Sequence, residues 1–220
     1  MAEARALFDA AWYRAAYPDV AELGIDPFTH FIEAGALEGR DPSPLFDTDY
    51  YRTNNPDLDA FPDPLIAHFI DCGGLEGRDC NPLFRTQVYH DQYPDVRESG
   101  DTPLLHYLNR GGIEGRDTGT FFDSQYYLDT NPDIAEQGLN PLKHFLLAGH
   151  AEGRNPNRLF SVEWYLTKYP DVAEAGRNPA IHYQRTGGTE GRSCHPLFDG
   201  AYYQSLYADV YESGLSPLDH

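Results

Sequence analysis

Phenylalanine recurs every 38 residues along this chain, at Phe8, Phe46, Phe84, Phe122, Phe160 and Phe198. A period of that length confines the chain to repeat architectures. The unit reads F-D-x-x-Y-Y-x-x-x-N/Y-P-D-V-x-x-x-G-x-N-P-L-x-H-F/Y-x-x-x-G-x-x-E-G-R-x-P-x-P-L. Five copies are complete, and a sixth runs from Phe198 to His220. The cut inside the motif reads as a piece of something longer or as a closing half-repeat. Residues 1–220 are read as a single repeat domain with units beginning near 8, 46, 84, 122, 160 and 198.

Each copy carries its own helix punctuation. Asp9, Asp47, Asp123 and Asp199 stand where an N-cap belongs, Ser161 substitutes, and Arg85 cannot cap. Phe8 and Tyr13 have the spacing of a hydrophobic staple. Pro18 ends the first helix near Tyr17 and opens a second, followed by Asp19 at its positive end. The pair returns as Pro56-Asp57, Pro94-Asp95, Pro132-Asp133 and Pro170-Asp171, with Ala208-Asp209 in the sixth copy. Gly24, Gly100, Gly138, Gly176 and Gly214 close this helix; Pro62 takes that place in repeat two. A third helix starts at Asp26-Pro27, Asp63-Pro64, Thr102-Pro103, Asn140-Pro141, Asn178-Pro179 and Ser216-Pro217. In repeat four Leu142, Phe145 and Leu146 form its apolar stripe. Gly35, Gly73, Gly111, Gly149 and Gly187 end it, and a Glu-Gly-Arg turn and a Pro-rich link follow. Helices this short are marginal alone and must bury their aromatic faces against neighbouring units. The predicted fold class is an all-α repeat solenoid of short helices; no sustained period-2 run predicts a strand.

The formal net charge is −19, from 35 Asp+Glu against 16 Lys+Arg. It excludes nucleic-acid partners, which need a basic face, and docking on anionic lipid. No apolar run is long enough to insert in a membrane, and no signal peptide is visible at the N-terminus. That leaves the localisation open on the residues alone. The three cysteines, Cys72, Cys80 and Cys194, form no CxxC and read as free thiols. No Gly-x-Ser-x-Gly, phosphate loop or unique acid pair predicts catalysis, so no catalytic residue is assigned.

Three polar slots recur. The first is the aspartate of the Pro-Asp pair: Asp19, Asp57, Asp95, Asp133, Asp171 and Asp209. The second is the glutamate of the Glu-Gly-Arg turn: Glu38, Glu76, Glu114, Glu152 and Glu190. The third is its arginine: Arg40, Arg78, Arg116, Arg154 and Arg192. The two acid slots are read as a structural network, in which each arginine bridges to helix ends or to the aspartate of an adjacent unit. The alternative is a ladder of identical polar ligand sites, in which the arginines take part. His30, His68, His106, His144, His182 and His220, one per unit, do not converge on a metal and read as core or hydrogen-bonded histidines. Calcium is the rival for the acids clustered at Asp41, Asp47 and Asp49 and at Asp57, Asp59 and Asp63, although no calcium-loop spacing is present. Trp12, Tyr50, Tyr126, Trp164 and Tyr202 each precede a staple tyrosine. They either pack between units, as Val88 in the same slot allows, or line a surface on which a sugar ring stacks.

The unit resembles a family of bacterial repeats with the signature F-D-x-x-Y-Y-L-x-x-N-P-D-V-x-x-x-G-x-N-P-L-x-H-Y-x-x-x-G-x-x-E-G-R-x-P. The residues that carry the resemblance are Phe122-Asp123, Tyr126-Tyr127-Leu128, Asn131-Pro132-Asp133, Asn140-Pro141-Leu142, His144-Phe145 and Glu152-Gly153-Arg154. Such repeats are found beside glycosyltransferase domains and in large bacterial surface or secreted proteins. The resemblance implies a bacterial, envelope- or polysaccharide-linked setting, on a cell surface or an extracellular particle. The expected role is non-catalytic binding of cell-surface or capsular polysaccharide through Trp12, Tyr50, Tyr126, Trp164, Tyr202 and the turn arginines. The alternatives are a scaffold that binds a protein partner and a calcium-stabilised secreted repeat.

Overall fold

A computed structural model describes residues 2–61, 63–207, 209 and 215–220. The predicted helix-closing residues Pro62 and Gly214, and Ala208, lie outside the described residues. The chain divides into two compact bodies, Met1–Asn109 and Arg110–His220, with the boundary inside repeat three.

Four of the five complete repeats run through the same elements, and repeat two differs only in its second, a 3₁₀ turn at Pro56–Leu58. In repeat one these are Ala10–Ala16, Pro18–Leu23 and Pro27–His30, the last continuing into a widened turn, Phe31–Gly35. In repeat five they are Val162–Lys168, Pro170–Glu174, Pro179–His182 and Tyr183–Gly187. Among the described residues there is no strand, only single bridges such as Ser43 with Phe46 in the links. The class is an all-α repeat solenoid of short helices.

The punctuation works largely as the residues dictate. The Asp9 carboxylate accepts from the Ala11 and Trp12 amides at 3.1 and 3.0 Å. Asp47, Asp123 and Asp199 accept from Tyr50, Tyr126 and Tyr202 at 2.8, 2.7 and 3.0 Å. Ser161 does the same more weakly, at 3.4 Å, and Arg85 makes no capping bond. Repeat two corrects one reading. There the third helix is Leu65–His68 with Pro64 in the cap position and no side-chain cap. Counted from Pro56, residue 64 falls on the slot of Asp26, so Asp63-Pro64 lies one residue too early to be cap and first helical residue. Thr102 also makes no capping bond.

The third helix changes pitch after its histidine. Ala36, Gly74, His150 and Gly188 donate to the carbonyls of Phe31, Phe69, Phe145 and Tyr183, five residues back, at 2.7–3.1 Å. This is a single π turn. It shifts the apolar register: Leu142 and Phe145 are buried, while Leu146 is only half-buried. The core of each repeat is a ring cluster. Phe8, Tyr13 and Phe31 lie 5.1–5.8 Å apart, as do Phe122, Tyr127 and Phe145 at 5.4–5.9 Å. The first and second rings of each triplet are the staple pair. A fully buried ring contributes on the order of 1.5–3 kcal/mol, which is what holds seven-residue helices that would not persist alone.

In repeats one, two, four and five the link at the repeat's end folds back on that repeat's start. Asp9, Asp47, Asp123 and Ser161 donate their amides to Pro42, Cys80, Pro156 and Cys194 at 2.9–3.1 Å. Each of those acceptors lies four residues before the next phenylalanine, so the seam recurs at one fixed slot.

Candidate functional site

Two polar clusters recur along the repeats. The first joins the first and third helices. The staple tyrosine hydroxyl is hydrogen-bonded to histidine Nδ1 in all six repeats: Tyr13–His30 at 3.1 Å, Tyr51–His68 at 2.9, Tyr89–His106 at 3.0, and Tyr127–His144, Tyr165–His182 and Tyr203–His220 at 2.9 Å. The hydroxyl also lies against the glycine that ends the π turn. A Cβ on Gly35, Gly73, Gly149 or Gly187 would overlap that oxygen, so these glycines are required by packing, not only by chain reversal. Burial pushes the Tyr13 phenol up to about 12. Burial, and after it the charge of Arg154 or Arg192, holds His144 and His182 below the ordinary 6.5. Burial also raises the Tyr127 and Tyr165 phenols that face these two histidines, so in those two pairs both partners are neutral at pH 7, with the phenol as donor and the imidazole able to accept. The hydrogen-bonded reading holds for all six histidines, but only His30, His106 and His182 are buried; His68 and His144 are half-buried and His220 is exposed.

The second cluster joins the second helix to the Glu-Gly-Arg turn. Arg40 places two guanidinium nitrogens on the two oxygens of Asp19, at 2.9 and 2.7 Å, and its Nε on Glu38 at 2.7 Å. Arg154 repeats this with Asp133 at 2.8 and 2.8 Å and Glu152 at 2.6 Å. Arg78 with Asp57 and Glu76, and Arg192 with Asp171 and Glu190, make the same pairs at 2.7–3.0 Å. In repeat three Arg116 holds Glu114 at 2.7 Å, and Asp95 occupies the matching place on Pro94–Ser99. In repeat six Asp209 lies 3.4 Å from His220 Nε2. The turn glycine makes this closure possible: Gly39, Gly77, Gly115, Gly153 and Gly191 sit at φ +73 to +81, a region that side chains avoid.

These pairs correct the expected connectivity. Each of these four arginines reaches the aspartate of its own repeat, 21 residues earlier, instead of that of an adjacent repeat. Two kinds of support recur. Where the residue before Pro-Asp is tyrosine, the guanidinium lies over its ring, 4.9 Å from Tyr17 for Arg40 and 4.9 Å from Tyr169 for Arg192. Where it is asparagine, Asn55 or Asn131 accepts from the arginine at 3.0 Å and donates to a first-helix carbonyl at 2.7 Å. The arginine side chains of these pairs are only 20–25% exposed, against 45–60% for the carboxylates. The guanidinium is enclosed by its partners, and solvent meets carboxylate oxygen. The Arg contact holds Asp19, Asp57, Asp133 and Asp171 below the ordinary carboxylate value.

The aromatic slot sits beside this cluster. Trp12, Tyr50, Tyr126 and Trp164 are half-buried and Tyr202 is 63% exposed, each next to a staple tyrosine. Trp12 meets Tyr17 edge-on at 6.1 Å and Trp164 meets Tyr169 at 6.5 Å. The Arg158 guanidinium lies 5.6 Å over Tyr126.

Three of the six acids weighed for calcium have other work. Asp41 accepts from the Thr48 amide at 2.7 Å, Asp47 from Tyr50, and Asp57 holds Arg78. Among the described residues no group of three or more His, Cys, Asp or Glu side chains is placed to hold a metal ion. Cys72 is exposed, and Cys80 and Cys194 are buried free thiols. Asp41 belongs to a slot that sequence reasoning missed. The residue after the Glu-Gly-Arg turn caps the next repeat's first helix: Asp79 to Thr86, Asp117 to Ser124, Asn155 to Val162 and Ser193 to Gly200, at 2.7–3.2 Å. The signal was present, because Asp, Asn and Ser, the capping residues, fill it in all five complete copies.

No protein-family model, no curated protein and no solved structure matches this chain.

Proposed function

We propose that the chain is a non-catalytic module that binds a bacterial cell-surface polysaccharide. The observation that carries this reading is the aromatic slot. In five of the six repeats one ring stays partly exposed at a fixed place, at Trp12, Tyr50, Tyr126, Trp164 and Tyr202, and repeat three has Val88 there. A half-exposed Trp or Tyr offers an apolar face for a sugar ring and a polar tip for its hydroxyls. A repeating polymer suits a repeating surface, because weak contacts add along it. The turn arginines are committed to carboxylates, so on this reading the ligand is neutral or amine-bearing, and acidic capsules are poor ligands. The family resemblance supports the envelope setting.

The test is a binding panel of neutral, amine-bearing and acidic bacterial polysaccharides, with Trp12→Ala and Trp164→Ala beside the parent. Saturable binding to a neutral or amine-bearing polymer, weakened in both variants, supports the reading; flat curves on every polymer overturn it.

A second reading, a scaffold for a protein partner, is favoured by one observation. Leu37, Leu75 and Ile113 are exposed at the same slot, one residue before the turn glutamate. Recovery of one stoichiometric protein partner without glycan affinity would favour it.

A further inference from the structure

The junctions between successive repeats are not alike. After the π turn, repeats two, three and five carry Gly74, Gly112 and Gly188, where repeat one has Ala36 and repeat four has His150. The glycines admit the start of the next repeat's third helix: a Cβ on Gly74, Gly112 or Gly188 would run into Thr102, Asn140 or Ser216. The turn glycine of each of these repeats is covered as well, Gly77 by Gln87, Gly115 by Gln125, and Gly191 by Ala201 and Gln204.

Repeat four meets repeat five differently. His150 brings an imidazole to the slot that is glycine in those repeats, and no side chain covers Gly153. The cap residue of the next third helix is Asn178, whose amide nitrogen is buried with no hydrogen-bond partner among the described residues. Glu163 stands where Gln87 and Gln125 cover their turns. Repeat one, with Ala36 and Asp49 in these slots, also leaves Gly39 uncovered, but it brings no imidazole.

A cleft of about 470 Å³ lies at this junction, between the turn 150–153 and the helix Val162–Lys168. Small-molecule sites occupy about 300–1,000 Å³. Ala151, Val162 and Leu166 supply its apolar lining, and His150, Glu152 and Glu163 its polar side. Glu152 accepts from Arg154 through Oε2, and Glu163 has no hydrogen bond or ion pair among the described residues. Burial holds His150 below the ordinary 6.5, so its ring is neutral at pH 7 and one nitrogen can accept. The nearby cation, Arg154, is tied to Asp133 and Glu152. The cleft thus offers acceptors and negative charge beside apolar surface, which a donor-only cation with a short carbon body complements.

We propose that the cleft between repeats four and five binds a small primary ammonium, held by Glu163 and Glu152 with its carbon body against Val162 and Leu166. This site does not use the aromatic slot, and failure of either reading leaves the other standing.

NMR titration of the 220-residue chain with D-glucosamine and with n-butylammonium tests it, with glucose and N-acetylglucosamine as uncharged controls. The expected result is saturable shifts of the 150–153 and 162–167 amides with an ammonium probe and none with the controls; the tighter probe tells an amino sugar from an alkylamine. Glu163→Gln, which installs the residue type native at Gln87 and Gln125, should weaken binding about three- to fivefold, the worth of one exposed charge pair. Glu174→Gln, on the following helix and outside the cleft, should leave affinity unchanged. No saturable binding of either ammonium, controls that bind as well, shifts spread over acids throughout the chain, or equal affinity in the two variants overturns the proposal.

Discussion

Replacing Gly149 by alanine should destabilise the chain, and removing one oxygen elsewhere should abolish the effect. In an ordinary helix Gly→Ala gains about 1 kcal/mol. Here the new Cβ overlaps the Tyr127 hydroxyl, which is hydrogen-bonded to His144 at 2.9 Å. Forcing a methyl into such a packed site costs about 1–3 kcal/mol, and displacing the hydroxyl forfeits about 1 kcal/mol of hydrogen bond. The net loss is roughly 1–3 kcal/mol once the helix gain is subtracted. Tyr127→Phe alone loses the hydrogen bond, about 1 kcal/mol. In that variant the nearest atoms to the Cβ are the ring Cζ and His144 Nδ1, both at 3.3 Å. Only a small adjustment is then needed, and the helix gain offsets it. Gly149→Ala should therefore be close to neutral in the Tyr127→Phe background, a coupling of about 2 kcal/mol. Urea denaturation of the four proteins, with hydrogen exchange over repeat four as a local readout, measures it. At about 2–4 °C per kcal/mol for a chain of this size, the coupling is also visible in Tm. An equal loss from Gly149→Ala in both backgrounds would refute the reasoning.

Stability should fall as pH drops below 6.5, because His144 and His182 have depressed values in the fold while the unfolded chain takes up protons at the ordinary one. A second fall is expected below the ordinary carboxylate value of 3.8, as Asp19, Asp57, Asp133 and Asp171 lose their arginine partners; urea midpoints from pH 8 to 3 should show both steps. Arg154→Gln should return the Asp133 carboxyl toward 3.8 in an NMR titration, and an unmoved value would deny the pair. Asn155→Ala should cost about 1 kcal/mol through the Val162 amide of the next repeat, read by urea denaturation, whereas Asn157→Ala acts on the Phe121 carbonyl. EDTA should leave Tm unchanged, since Asp41, Asp47 and Asp57 already have partners within the chain.

Local chemistry was legible in the residues; distant pairing was not. The period, the caps at Asp9 and Asp123, the proline starts and the Phe8–Tyr13 staple all act within about five residues, where side-chain reach and helix geometry decide the outcome. The Tyr–His and Arg–Asp pairs span 17 and 21 residues, and their partners depend on how three helices fold back on one another. Sequence pattern marked those residues as recurrent and polar, but it could not tell a neighbour in the same repeat from one in the next. The π turn after each histidine left no mark in the apolar pattern, so the Gly149 slot read as a helix stop when it is also a seat for the Tyr127 hydroxyl. Pro64 shows the reverse failure, a familiar dipeptide one residue out of register.

The central claim is that the turn arginines are internal ties within each repeat. Arginine side-chain NMR tests it most directly, because Nε–H of Arg40, Arg78, Arg116, Arg154 and Arg192 each donates to a glutamate two residues earlier at 2.6–2.8 Å. Five shifted Nε–H signals that exchange slowly with water, and stay in place when polysaccharide is added, are the predicted result. Signals that exchange as fast as that of the exposed Arg177, or that move on adding an acidic polysaccharide, would contradict it.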